Sequence, residues 1–599
     1  MIREVIINGV LADSKEDDSV ALFFDSPVFS DISKIKSNGT STYRIPKTQN
    51  NLNIIGLMNN PDAKGTFPYN YHSFEEYRNG IPIIQKGVCK LLSITDSIEL
   101  QVLWGNMNNF TELLNKNLRE LASNRGYLDW DNDIQYMHNG SSSDWGFLFV
   151  DFGRGFESKQ FVHPSINIKG ILDLIELDSG IKFDYSQEFS DIFAEKWIPL
   201  LTKNTNSVSW EYYTAVVNVY IDNSLRFRNW TDYPQIFVQQ YNSDIYTVSS
   251  AKIVITGNVY KEAKAASASQ PLDFLKLIPR NLETGEFLHE HTQWIPYDNS
   301  TGYYRGEINL ELQTDEDFRF SLFALDNNPV DPLGGSDSGG GVKVVIMHDE
   351  VPFNSRFPIA PNLPDISCID FIKSIMHMFG LFSYYDIDRP DTIIFISIDD
   401  IYSLKNVSHN WTDKVVKMDK ISHTFNDYAQ KNFFKYNDSE DLNIDTSGFI
   451  EVQNSTLPRE KEIIKIKFAP SERRADEDGN LYAYIPLYDE EGKLQNTEAR
   501  ILGQVVFDNI KAGLFLDNMK FGTSIGLLST YYSLYQRTIL RPVTVEIESY
   551  LSEKDIYDFS EITPIYIHGS YYMPITVSLY NNGLAKSKLL LMPNEKSPN

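Results

Sequence analysis

The sequence has few of the residues that build metal or redox sites, and it has no long apolar run. Its 599 residues include two cysteines, Cys89 and Cys368, too few for a disulfide framework or a thiolate metal site. Cys368 falls on the apolar side of a predicted helix, so we expect a buried free thiol and folding in a reducing compartment. No run of about 18 apolar residues occurs, so we expect no membrane-spanning helix. Residues 1–10 lack the apolar segment of a secretion signal and predict a first strand.

Positive charge is also scarce. Lys and Arg total 54 against 81 Asp and Glu, which gives a net charge of −27. Such a chain is a poor general binder of phosphate backbones, because it adds repulsion where such binders release counterions. We therefore expect no sequence-specific nucleic-acid partner. Many ordinary soluble proteins share this acidic balance.

Catalytic motifs are missing as well. The sequence has no G-x-x-x-x-G-K-[ST] phosphate loop and no G-x-S-x-G elbow. His289-Glu290-His291 could place two ligands on one face of a strand, but no third ligand can be assigned, and a solvated strand edge is the commoner role of such a segment. The acidic run 129–133 lacks the Gly and Glu of a calcium loop. We expect no catalytic residue, no metal site and no cofactor.

Aromatic residues are plentiful and favour β-structure. The chain has 34 Tyr and 36 Phe, which suit a half-buried pleated sheet. In residues 1–105, short apolar runs alternate with turn signals, among them the hairpin dipeptides Asn38-Gly39 and Asn79-Gly80. This spacing predicts a barrel or a sandwich. We predict a mainly β fold with α/β pieces between the β regions.

Two segments 200 positions apart share one pattern. Residues 164–181 and 364–381 each have a Pro, an apolar residue two positions later, an apolar triplet, and a Gly followed by an aliphatic residue. Each predicts an N-capped helix with an apolar stripe, a glycine stop and then a strand. The caps are Asn167 and Gly180 in the first copy and Ser367 and Gly380 in the second. The repeat indicates an internally duplicated unit.

Residues 206–350 separate the two copies and predict an inserted β-sandwich rich in aromatic residues. Exposed aromatic rings stack on sugar rings, so these residues could bind a glycan; filling a sandwich core is their commoner role. The candidate glycan contacts are Trp230, Tyr233, Trp294, Tyr297 and Tyr303.

Stretches on both sides of this insert resemble tail-tip proteins of long-tailed phages and prophages of gut Bacteroidetes. They are residues 29–48, 83–105, 415–436 and Ile562-Thr-Pro-Ile-Tyr-Ile-His-Gly-Ser-Tyr-Tyr572, the last of which is similar to the family's final hairpin. The resemblance lies in the residue pattern and includes no invariant motif.

The resemblance implies a baseplate hub, which is a structural virion protein and not an enzyme. Such hubs have two β-barrel domains related by internal duplication. Three copies form a ring that adapts the six-fold tail tube to a three-fold tip and lets DNA pass on ejection. The implied partners are further copies of the chain, as a homotrimer or a hexamer, and the tail-tube, distal-tail, tape-measure and tip-fibre proteins. The implied location is the virion tail tip, after synthesis in the host cytoplasm.

The resemblance also orders the chain into domains. They are β-barrel 1 at 1–105, an α/β piece with the first repeat copy at 106–205, the inserted β-sandwich at 206–350, an α/β piece with the second copy at 351–402, and β-barrel 2 with a C-terminal hairpin at 403–599. An acidic bore would let DNA slide without adhesion.

Three other functions compete with the hub. A distal tail protein also forms a ring at the end of the tube and can carry an inserted sandwich. A surface glycan-binding protein or tail adhesin would act through residues 206–350, but it should carry a secretion signal with a lipid-accepting cysteine. A glycan hydrolase or lyase is the third, and no sequence feature favours it.

Overall fold

A computed structural model of the chain describes most of the residues on either side of the insert and the strands within it. The described residues are 3–14, 22–25, 38–40, 42–105, 113, 116–121, 127–130, 144–155, 159–204, the backbone of the strands between 210 and 348, 351–425 except 352, 354, 355, 385, 387 and 390, 428–438, 445–580 and 583–593. The fold is mainly β with helices between several sheets, as the sequence predicts.

The helices and strands are numbered along the chain. The first part has β1 (Arg3–Ile7), β2 (Val10–Ala12), β3 (Leu22–Asp25), β4 (Asn38–Thr40), β5 (Tyr43–Pro46), α1 (Gln49–Ile54), β6 (His72–Arg78), β7 (Ile81–Ile94), β8 (Ser97–Trp104), β9 (Tyr127–Asp129), β10 (Trp145–Phe147), β11 (Pro164–Asn167), α2 (Ile168–Ser179), β12 (Lys182–Asp184), α3 (Gln187–Ala194) and β13 (Lys196–Pro199). The insert has β14 (Trp210–Ala215), β15 (Val217–Val219), β16 (Ser224–Phe227), β17 (Ala251–Glu262), β18 (Phe274–Asn281), β19 (Gln293–Asp298), β20 (Tyr303–Thr314), β21 (Phe320–Ala324), β22 (Asp331–Pro332) and β23 (Val342–His348).

The last part continues this numbering. It has β24 (Arg356–Pro358), α4 (Cys368–Met378), β25 (Leu381–Tyr384), β26 (Thr392–Ser397), α5 (Ile398–Ser403), β27 (His409–Asn410), β28 (Val415–Ser422), β29 (Lys431–Lys435), β30 (Gly448–Glu451), β31 (Glu460–Lys465), β32 (Glu472–Ala475), β33 (Leu481–Tyr484), β34 (Leu502–Phe507), β35 (Ile510–Leu514), α6 (Leu527–Tyr531), α7 (Ser533–Leu540), β36 (Thr544–Tyr550), α8 (Glu553–Tyr557), β37 (Ile565–Ile567), β38 (Ser570–Leu579) and β39 (Leu584–Leu591).

Strands from both ends of the chain form one sheet of 14 strands. Its order is β2-β1-β6-β7-β8-β4-β3-β38-β39-β36-β28, with β5 also on β8, β37 on β38, and β27 on β37. The two ends of the chain meet where β3 pairs with β38 and Leu22 lies opposite Leu579. We call β1, β2 and β5–β8 the N-terminal half-sheet, and β27, β28 and β36–β39 the C-terminal half-sheet. Both contribute to one hydrophobic core.

One of the two predicted hairpin dipeptides makes a hairpin. Asn79 and Gly80 join β6 to β7 with φ angles of 49° and 80°, the two positive values of a type I′ turn. Asn38-Gly39 instead lies inside β4, between β3 and β8, so that prediction was wrong. Pairing on both sides of β4 overrides the local turn preference of the dipeptide.

Both copies of the repeat form the predicted capped helix. Asn167 Oδ1 accepts from the Gly170 amide at 2.8 Å at the start of α2, and Ser367 Oγ accepts from the Asp370 amide at 3.0 Å at the start of α4. The strands that follow, β12 and β25, lie on either side of β26, with β12 parallel and β25 antiparallel to it. The two copies therefore meet in one small sheet, while a two-fold relation between them stays a prediction.

The strands of the insert pair only with one another among the described residues. The polypeptide segments that lead into and out of the insert are held together by the buried amide of Asn362. Its Oδ1 accepts from the Asn204 amide at 2.6 Å and from Thr202 Oγ1 at 2.9 Å. Its Nδ2 donates to the carbonyls of Asn204 and Pro358, both at 2.9 Å.

Residues 403–599 serve two regions of the molecule. Residues 409–422 and 544–591 complete the large sheet, whereas β29–β31 form a separate three-stranded sheet. Strands β34 and β35 join a third sheet next to β13, where Lys196 lies opposite Gly503. This third sheet and both repeat helices share the larger hydrophobic core.

Candidate assembly surface

The N-terminal half-sheet is closed by a side chain where its first and last strands meet. Asn51 of α1 is buried, and its Nδ2 donates to the carbonyls of Asp13 and Pro46, both at 2.8 Å. Its Oδ1 accepts from the Asp13 amide at 2.8 Å. Asp13 directly follows β2 and Pro46 ends β5, so one amide bridges the gap that a strand pair would otherwise fill. Asn50 covers the same edge by donating to the Leu11 carbonyl at 3.0 Å.

Side-chain contacts in the interior of this half-sheet also support its closure. Tyr43 of β5 meets Phe74 of β6 edge to face, with ring centroids 4.8 Å apart. The guanidinium of Arg3, from β1, lies 4.5 Å from the centre of the Tyr43 ring. Side chains of β5 and β1, which are separated by β6, β7 and β8 in the strand order, therefore touch inside a curled sheet.

A buried ion cluster lies in the same interior. Glu76 Oε1 accepts from Arg78 Nε at 2.7 Å and from Arg3 Nε at 3.0 Å. Burial alone would raise the pKa of the Glu76 carboxyl, but Arg78 and Arg3 hold that pKa below its ordinary value. The carboxylate stays charged because two cations face it.

The C-terminal half-sheet ends in a strand that lacks such a cover. Among the described residues, β28 pairs with β36 alone. Six consecutive residues of β28, 416–421, are exposed, which includes both faces of the strand. Val416, Met418 and Ile421 are 59%, 44% and 57% exposed. Isolated exposed apolar residues are common, but three on one edge strand mark a surface that suits a partner.

The register of β28 explains why these apolar side chains are unusual. Met418 lies opposite Ile547 and Ile421 lies opposite Val545, and cross-strand partners share one face of a sheet. Ile547 and Val545 are buried in the core, whereas their partners on β28 are not. The apolar face of the sheet therefore extends beyond the part that the chain itself covers.

Two features of β28 limit pairing with arbitrary strands. Its register to β36 shifts twice, between Val415 and Lys417 and again between Met418 and Lys420. Lys417 forms an ion pair with Asp419, and Lys420 pairs with Glu546 at 3.2 Å. Bulges and lysines are the usual protection of an edge strand against unspecific addition, so β28 suits a defined partner.

The predicted glycan contacts fall in the insert. Trp230 and Tyr233 lie outside the described residues, as do His289-Glu290-His291. The backbone of Trp294 and Tyr297 belongs to β19 and that of Tyr303 to β20. Tyr303 lies opposite Asp298 in the register of these two strands. The five residues as a group remain a prediction.

The described residues include neither a metal-binding cluster nor a helix that could span a membrane. In this part of the chain, no group of three or more His, Cys, Asp or Glu side chains is arranged to hold a metal ion. None of its helices is both long enough and apolar enough to cross a membrane.

Sequence reasoning did not find the residues that form this surface. Asn51 stands in a polar run, Gln49-Asn-Asn51, that carries no motif. The sequence of residues 415–436 offers only its family resemblance. A usable signal is present in Val415-Val-Lys-Met-Asp-Lys-Ile421, where the two-residue alternation of residues 416–419 breaks at Lys420, which is atypical of a covered strand.

The comparisons with known proteins add little. No known protein family matches the sequence, and no curated protein matches it. Among solved structures, the chain is similar to the 43 kDa tail protein of prophage MuSo2 from Shewanella oneidensis, with 7% identity and a TM-score of 0.31 over 98% of each chain. A similarity at this TM-score carries no argument about fold or function.

Proposed function

We propose that this chain is a structural protein of a phage tail that assembles with further copies of itself into a ring at the tail tip. The observation that carries the proposal is the contrast between the two half-sheets. The first is closed by Asn51, while the second leaves the apolar residues of β28 uncovered. A protein that acts alone has no use for such an edge, whereas a ring subunit buries it in every contact.

The pattern resemblance narrows the proposal to the hub of the tail tip. In that role the ring would adapt the tail tube to the tip, contact the distal-tail, tape-measure and tip-fibre proteins, and let DNA pass. The net charge of −27 suits a bore that must not hold DNA, because adhesion grows with the number of neutralised phosphates. A ring bore with more base than acid would contradict this part of the proposal.

The oligomer mass of the purified chain tests the proposal. We expect a trimer for a hub and a hexamer for a distal tail ring, measured by light scattering after gel filtration over a range of concentrations. The matched control is Met418→Asp, which places a charge on the exposed edge of β28 and should shift the distribution toward monomer. A wild-type chain that stays monomeric at every concentration would overturn the proposal.

For the insert, we propose glycan binding through the five aromatic residues predicted above. Stacking on sugar rings is the chemistry that such residues offer. The test compares the wild type with Trp294→Ala and Tyr297→Ala on a glycan array. Binding that is lost in both variants supports the role, and an array without any bound glycan contradicts it.

A further inference from the structure

The N-terminal half-sheet carries an exposed apolar surface of its own. We call it the hairpin patch; its members are Val10, Leu11, Leu57, Tyr69 and Tyr71, all at least 46% exposed. The β1–β2 hairpin is fastened to the segment that contains the tyrosines. The Asn8 amide donates to the Ser73 carbonyl at 3.1 Å, and Asn8 Nδ2 lies 3.0 Å from His72 Nδ1.

The second surface lies at the far end of the strand order. We call it the β28 patch; its members are Val416, Met418, Ile421 and Tyr550, all exposed. Tyr550 belongs to this patch because its amide donates to the Lys414 carbonyl at 3.0 Å, next to the start of β28. The two patches end the same sheet, one at β2 and the other at β28.

Strand addition at the hairpin patch is blocked. The Leu11 carbonyl already accepts from Asn50, and both main-chain groups of Asp13 are bound by Asn51. A new strand at β2 would have to displace these side chains and leave the buried side-chain amide of Asn51 without its partners. Any partner of the hairpin patch must therefore pack on it through side chains.

Charge distinguishes the two patches. The hairpin segment 3–14 has two exposed carboxylates, Glu4 and Asp13, and its one basic residue, Arg3, is buried against Glu76. On β28, the lysine side chains 417 and 420 are more than 60% exposed, and their ion-pair partners Asp419 and Glu546 are 31% and 45% exposed. Two hairpin patches packed on each other would bring carboxylates together, whereas packing a hairpin patch on a β28 patch brings Glu4 and Asp13 toward Lys417 and Lys420.

We propose that the hairpin patch of one copy packs on the β28 patch of the next. The occupant of each patch is thus a second copy of this chain, and the contact is head to tail. Such a contact closes into a ring when its rotation allows and does not produce an isolated two-fold dimer. The inference rests on the proposed function, because it names the contact by which the proposed ring would form.

A mixing experiment with two single variants tests the contact. Leu11→Lys disrupts the hairpin patch and Met418→Lys disrupts the β28 patch, and two introduced lysines that face each other across the contact repel. Each should weaken assembly about tenfold or more, as charges in the centre of an interface do. Leu177→Lys is the matched control, because Leu177 on α2 is 44% exposed and lies outside both patches. Unchanged thermal unfolding of every variant verifies that the fold is kept.

The expected result is specific to a head-to-tail contact. Each variant alone should be monomeric at concentrations where the wild type and Leu177→Lys assemble. An equimolar mixture of Leu11→Lys and Met418→Lys should give dimers and nothing larger, because each mixed pair retains one intact contact and its other two surfaces carry like charges. Native mass spectrometry resolves these species.

Two outcomes would overturn the inference, and they differ in what they say about the proposed function. If the wild type assembles and Leu11→Lys assembles equally well, the hairpin patch is not the partner surface, while self-assembly stands. If the wild type never assembles, both the proposed ring and the proposed contact are wrong.

Discussion

Asn51 holds the main chain of Asp13 with both ends of its amide, since Oδ1 accepts from the Asp13 amide and Nδ2 donates to the Asp13 carbonyl, each at 2.8 Å. A single side chain thus reproduces the pair of hydrogen bonds that a neighbouring strand would make. It also reaches the Pro46 carbonyl at 2.8 Å. The N-terminal half-sheet is closed by a residue that belongs to none of its strands.

Replacing this residue tests the closure. Asn51→Leu removes the side-chain partners of the Asp13 amide and carbonyl, at about 1–3 kcal/mol each at most, while the Pro46 carbonyl still accepts from the Thr48 amide at 2.9 Å. We expect the N-terminal half-sheet to lose roughly 2 kcal/mol of stability and the amides of residues 3–14 to exchange faster with deuterium. Asn50→Ala is the control, because Asn50 is exposed and should change the exchange little. Equal exchange in both variants would show that Asn51 does not close the sheet.

The buried carboxylate of Glu76 gives a second prediction. Glu76→Gln leaves Arg3 and Arg78 buried without a counter-charge, and breaking a buried pair from one side costs about 3–5 kcal/mol. Thermal unfolding should therefore begin at a clearly lower temperature. Glu99→Gln is the control, because its partner Arg44 is half exposed and surface pairs contribute little. Similar unfolding of the two variants would argue against the cluster.

The same group predicts a dependence on pH. Because the pKa of Glu76 is held below its ordinary value of 4.5, its contribution to stability is complete above that value. The contribution is lost as pH falls through the lowered pKa of the folded state. The difference in unfolding temperature between wild type and Glu76→Gln should therefore shrink as the pH falls below 4.5. A constant difference down to pH 2 would contradict this.

The glycines that end the repeat helices should differ in their tolerance of alanine. Gly180 has a φ of +75° with no atom near its added Cβ, while at Gly380, with a φ of +59°, that Cβ would lie 2.7 Å from the Tyr531 carbonyl oxygen. Gly180→Ala should cost the left-handed strain of about 1–2 kcal/mol. Gly380→Ala adds a backbone clash and should cost about twice as much or more. Chemical denaturation of both variants measures the difference, and equal costs would refute the close approach.

The two thiols should be unreactive in the folded chain. Burial raises the pKa of Cys89 to about 12 and that of Cys368 to about 11, and both side chains are buried. We expect no modification by iodoacetamide at pH 8 and two modified thiols after unfolding in guanidinium, counted by mass spectrometry. Rapid labelling of the native protein would show that one of the two sites opens.

Local signals predicted local structure well. Asn167 and Ser367 cap their helices as expected, and Asn79-Gly80 forms its turn, because each depends on residues within four positions. Asn38-Gly39 does not form the predicted turn, because it lies in β4, which pairs with β3 on one side and with the distant strand β8 on the other. The predicted burial of the Cys368 thiol is confirmed, because that residue lies on the apolar side of its helix.

The candidate surface could not be predicted in the same way. The exposure of Met418 depends on which part of the chain packs beyond β36. The exposure of the edge at β2 depends on where α1 places the side chain of Asn51. Both are properties of tertiary arrangement, which residue types and spacing do not determine. The division of residues 403–599 between two sheet regions is unpredictable for the same reason.

The pairing of β3 with β38 has a consequence for how the protein is made. Leu22 leaves the ribosome long before Leu579, and at about 5–20 residues per second the interval is roughly half a minute to two minutes. Throughout that time β3 lacks its final neighbour, and its edge is a site for wrong pairing between nascent chains. Completion of the fold is therefore tied to completion of synthesis, so a truncated product would retain an unfinished sheet.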